Sequence, residues 1–107
     1  MGHDIRDIPL SALDSIPSHL TDRGFEVTIS QKPGFAPGVT FTQVYCRRGV
    51  DCQRLAWASL EHTPGIIRIL ITNQDGWLPW VRRRRFQLQA DVTSAIEDLG
   101  GYWPPPN

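Results

Sequence analysis

The chain has little of what usually announces a chemistry. It holds two cysteines, Cys46 and Cys52, and three histidines, His3, His19 and His62. A zinc site built on the cysteines needs two more ligands, which only His19 and His62 offer. The C-x5-C spacing is also not that of a zinc knuckle, so no metal is expected. There is no P-loop, no GxSxG elbow and no dinucleotide fingerprint. Gly34 and Gly38 each follow a proline, which denies a phosphate cradle the amide donors it needs. No cofactor is expected. Asp51, Glu61, Asp75 and Asp91 fall at turns and caps, where carboxylates have structural work, rather than in an acid–base pair.

Long apolar runs are missing too. The longest, Ile66 to Ile71, is broken by Arg68 and is far below the ~18 residues of a membrane span. The start MGHDIRDIPL has neither a basic leader nor an apolar segment, and Arg6 stands where a myristoylation signal wants Ser or Thr. A cytoplasmic protein with no membrane partner is the expectation.

Net charge is zero, with 11 basic and 11 acidic residues, but the charge is unevenly placed. Residues 1–30 and 86–107 are acidic. Residues 47–85 carry eight arginines against Asp51, Glu61 and Asp75. Lys32 is the single lysine. Arginine is preferred for planar, bidentate and stacked contacts, which favours recognition over mere solvation, and the uneven charge is the usual footprint of an acidic partner.

The length of 107 residues fits one domain with one modest core. Residues 1–8 read as a polar lead-in. Leu10, Leu13, Ile16 and Leu20 form a helical stripe interrupted at Pro17, and Gly24 ends it. Phe25 to Ser30 alternates as a half-buried strand. After the loop KPGFAPG, Val39 to Cys46 alternates again. Arg47 to Asp51 reads as a hairpin tip, and a return strand runs from about Cys52 to Glu61. Cys46 and Cys52 flank Gly49 symmetrically, so the hairpin can set them opposite each other within disulfide reach. A cytosolic setting favours free thiols. HTPG forms a turn, Ile66 to Thr72 a β-branched strand, and NQDG a second turn.

The stretch WLPWVRRRRFQLQADV, Trp77 to Val92, holds two of four tryptophans and four consecutive arginines. Two readings compete. Val81, Leu88, Val92, Ala95, Ile96 and Leu99 line one face of a helix begun at Pro79. Phe86-Gln87-Leu88-Gln89 instead alternates as a strand, and Arg84 and Arg85 would spoil the helix's apolar face. The expectation is a strand from about Val81 to Gln89, then a helix from Asp91, its N-cap, to Leu99. Gly100-Gly101 ends it. Tyr102, Trp103 and three prolines make an aromatic, proline-stiffened tail.

The predicted fold is therefore α+β: an antiparallel meander of four or five strands with the N-terminal and C-terminal helices on one face. The predicted function is non-enzymatic binding, in the manner of an accessory protein or inhibitor. An acidic protein surface would dock on Arg82, Arg83, Arg84, Arg85, Trp77 and Trp80, joined by Arg47 and Arg48 at the hairpin tip. One alternative is a nucleic-acid-binding module using Arg82 to Arg85, which zero net charge disfavours. Another is a small enzyme with Cys46, Cys52 and His62 in its site. An arginine-bearing edge strand can also pair with a second copy as a homodimer.

Overall fold

The computed structural model describes the backbone of residues 2–60, 66–73 and 79–100. Within these it describes all side chains except those of 2–4, 66, 73, 79, 81 and 82. The chain opens with strand β1 (Gly2–Pro9). A 3-10 helix (Leu10–Ser15) then runs directly into α1 (Ile16–Asp22). Four strands follow, β2 (Glu26–Pro33), β3 (Val39–Arg48), β4 (Asp51–Leu60) and β5 (Ile66–Asn73), and α2 (Pro79–Asp98) closes the series. Among the described residues the five strands make one antiparallel sheet in the order β1-β5-β4-β3-β2.

The meander β2 to β5 follows from alternation and turn chemistry. Gly49 sits at φ 65° and, with Val50, turns β3 into β4 with Arg48 opposite Asp51. That left-handed backbone suits glycine and the twist of a two-residue hairpin. Gly24, at φ 92°, stops α1, and its N–H donates to Thr21 O at 3.0 Å. Pro17 lies in the first turn of α1, where its missing N–H costs nothing.

One sheet face is covered. Ile8, Val44, Cys46, Leu55, Trp57, Ile69 and Ile71 meet Leu13, Ile16, Leu20 and Phe25 together with Leu88, Val92, Ala95 and Ile96. The α+β class, the antiparallel sheet and the two helices on one face all stand as the sequence predicted.

Three local expectations do not hold. Residues 2–9 are not a lead-in but an edge strand paired along its length with β5. Its core-facing side includes a charged residue, Arg6, only 2% exposed, which hides the strand signal. The predicted strand Val81–Gln89 is helix, continuous with the rest of α2. Asp91 therefore lies inside the helix instead of capping it. Leu88, Val92, Ala95 and Ile96 recur at helical spacing on one buried stripe, whereas Phe86 is 50% exposed. Residues 80–99 contain no Gly or Pro and are rich in Arg, Gln, Leu and Ala, all compatible with helix. Finally, Cys46 is opposite Gln53 and Cys52 opposite Arg47. The two-residue turn shifts the register by one from symmetry about Gly49, and a one-residue shift sends a side chain to the other face.

Candidate partner-binding surface

The hairpin tip and the first half of α2 form one region. Arg84 Nε lies 3.3 Å from Asp51 Oδ2 at the start of β4. Arg48, at the end of β3, pairs with Asp91 on α2, and Gln87 Nε2 donates to Asp91 Oδ1 at 3.1 Å. The Arg48 guanidinium also sits 5.8 Å from the centre of the Phe25 ring. Arg84 of the run and Arg48 of the tip are thus brought together, and each is neutralised by a carboxylate from the other element.

Successive helical residues turn by about 100°, so the run fans around α2 instead of dividing between two strand faces. Arg84 faces Asp51. Arg85 is half-buried. Arg83 is exposed and makes no ion pair or hydrogen bond among the described residues. The side chain of Arg82, and Trp77 altogether, lie outside the described residues. Arg47 is on the opposite sheet face, 4.0 Å from Glu26, with both side chains largely exposed.

Large apolar groups surround this region. Trp80 is 58% exposed and Phe86 50%, while Val50 at the turn is 82% exposed. Trp80 lies one helical turn from Arg84, and Phe86 three residues from Arg83, the spacings that put side chains side by side. Phe86 and Val50 were not among the predicted site residues. Phe86 read as a position in an alternating strand, and Val50 as part of a turn.

The helix polarity adds a cost. The N-terminal end of a helix carries partial positive charge and favours acids, and the C-terminal end favours bases. α2 does the reverse, with no acid in its first turn and no base in its last. At the C-terminal end the mismatch is answered internally: Arg6 Nη2 lies 3.6 Å from Glu97, and Arg23 pairs with Asp98. At the N-terminal end Asp51 answers Arg84, and Arg83 has no carboxylate partner among the described residues.

Beside the tip, Gln53 is 1% exposed, and neither its Nε2 nor its Oε1 has a hydrogen-bond partner among the described residues. The cysteines do not form a site together. Cys46 is buried on the helix-covered face and Cys52 is exposed on the other. Burial, helped by the neighbouring Cys52, pushes the Cys46 thiol up to about 12, so it stays protonated and non-nucleophilic at neutral pH. His62 lies outside the described residues. Among the described residues no group of three or more His, Cys, Asp and Glu is placed to hold a metal. No helix among them is long and apolar enough to cross a membrane.

At the far end of the sheet a shallow cavity of about 700 Å³ is lined by Leu10, Leu13, Asp14, Lys32, Val39 and Leu60, among others. An apolar one of about 540 Å³ lies beside it under Phe35 and Phe41. Phe35, in the β2–β3 loop, is fully exposed. Comparison with protein families, curated proteins and solved structures finds no match to the chain.

Proposed function

We propose that this is a binding protein, not an enzyme, which docks an acidic protein surface on the N-terminal half of α2 and the adjoining β3–β4 tip. The observation that carries the reading is Arg83, a cation with no ion pair or hydrogen bond among the described residues, in the half of α2 that disfavours a cation and at helical spacing from exposed Trp80 and Phe86. Such a placement costs the isolated chain stability, and an acid brought by a partner relieves it. Trp and Arg are also the residues that most often dominate protein interfaces, with apolar neighbours keeping water from the charged contact.

A protein partner suits this region better than a nucleic acid. Arg48 and Arg84 are already neutralised, which leaves few cations to displace counterions along a phosphate backbone.

Affinity capture of the full chain from its native cells, with wild type, Arg83→Glu and Trp80→Ala as baits, tests the proposal. An acidic protein held by wild type and lost from both variants is the expected result. A ligand that ignores both changes, or a nucleic acid whose binding falls steeply with salt, would overturn it.

A further inference from the structure

Strand β2 is the outer strand on its side of the sheet, and among the described residues only β3 pairs with it. The direction of its backbone groups is fixed by the hairpin closure. Gly34 N–H donates to Val39 O at 2.8 Å, and the register continues unbroken from Pro33 opposite Thr40 to Glu26 opposite Arg47. Hydrogen-bonded pairs alternate along an antiparallel ladder. The even-numbered residues from Lys32 back to Glu26 therefore face β3. Val27, Ile29 and Gln31 turn their N–H and C=O groups to the open edge. Pro33, which has no N–H to offer, ends that row.

Open edges are ordinarily guarded by charge, bulges or an inserted proline. Here the middle of the edge, Thr28-Ile29-Ser30-Gln31, carries no charge and no proline, and Ile29 is 48% exposed. The only charges on β2 stand near its two ends and are opposite in sign, Glu26 and Lys32. Both lie on the uncovered sheet face together with Thr28 and Ser30.

We propose that β2 pairs antiparallel with β2 of a second copy of this chain about a two-fold axis through Ile29. In that register Ile29 faces Ile29, Val27 faces Gln31, Thr28 faces Ser30, and Glu26 faces Lys32. The two copies satisfy each other's edge with roughly six N–H···O bonds. Two cross-strand charge pairs, one on each side of the axis, add to them. A slide by two residues, the smallest that preserves the ladder, sets Glu26 opposite Ser30 or beyond Lys32 and loses both charge pairs. Glu26 is free to serve, because its side chain is 79% exposed and its link to Arg47 spans 4.0 Å. The product is a continuous sheet of twice the width, with all helices on one side. α2 packs on β4 and β5, away from the junction. The surface proposed above stays open, and the two inferences stand or fall separately.

Sedimentation velocity of the full chain over a concentration series is the test. Wild type is expected to pass from monomer to dimer as concentration rises. Ile29→Pro removes a donor from the open edge while leaving the β2–β3 ladder its bonds, and is expected to stay monomeric. Glu26→Lys and Lys32→Glu each set like charges opposite and weaken the dimer, and the double exchange Glu26→Lys with Lys32→Glu restores it. Three results would each overturn the proposal. One is a wild-type chain monomeric up to millimolar concentration. The second is a dimer indifferent to Ile29→Pro, and the third a double exchange that fails to recover pairing.

Discussion

The two ends of α2 present the same electrostatic problem and answer it differently. Each end carries the charge its dipole disfavours. At the C-terminal end both carboxylates have an arginine from another element: Arg6 from β1 for Glu97, and Arg23 after α1 for Asp98. These links tie the first and last thirds of the chain together, and the mismatch becomes part of the fold. At the N-terminal end Asp51 compensates Arg84, while Arg83 is left to solvent beside exposed aromatics. A charge that sits against the dipole and is compensated from within is a structural device. One that is left open to solvent is the charge through which the proposed partner would dock.

This contrast can be broken at several points. The largest effect is expected where α2 enters the core. Leu88→Ala, at a site 1% exposed, should cost about 3 kcal/mol in chemical denaturation, and Phe86→Ala less than about 1 kcal/mol. Equal costs at the two positions would mean that they share one face, as a strand requires and a helix forbids.

Next comes the compensated end. Arg6→Ala should cost about 2 kcal/mol, because a buried side chain loses its packing and Glu97 loses its base. Glu97 is 45% exposed, which keeps the loss below that of a fully buried pair. A neutral Arg6→Ala would show that the C-terminal links do not hold the fold.

Beside the tip, Gln53→Met replaces a buried amide that has no hydrogen-bond partner among the described residues and should raise stability by about 1 kcal/mol. A loss on that substitution would reveal a polar contact that the amide makes. The smallest effect belongs to the open end. Arg83→Glu should leave stability unchanged or raise it by about 0.3 kcal/mol, since it swaps a disfavoured charge for a favoured one.

Much of the fold was legible in the chain because local and long-range preferences agree there. Gly24, Gly49 and the alternation of Val39 to Cys46 each allow one structure, and the sheet follows. Legibility failed where they disagree. In β1 the core-facing position at Arg6 is charged, and its partner Glu97 lies 91 positions along the chain, beyond any local pattern. In α2 the alternation Phe86-Gln87-Leu88-Gln89 imitates a strand. Arg84 looked like a fault on a helix face until Asp51, 33 positions earlier, is seen to receive it.

The candidate surface was legible as residue types and not as a layout. Arg83, Trp80, Arg47 and Arg48 were visible in sequence. That Arg48 and Arg84 are neutralised and Arg83 is not depends on side-chain contacts between distant elements. Phe86 and Val50 become surface features only once the helix and the tight turn are in place.

The measurement closest to the centre of this reading is the affinity of Arg83→Glu for the acidic protein captured by wild type, taken together with its thermal stability. A fall in affinity of about tenfold or more, corresponding to ~1.4 kcal/mol, with a melting temperature equal to or above that of wild type, is expected. Undiminished affinity, or binding and folding lost together, would contradict it.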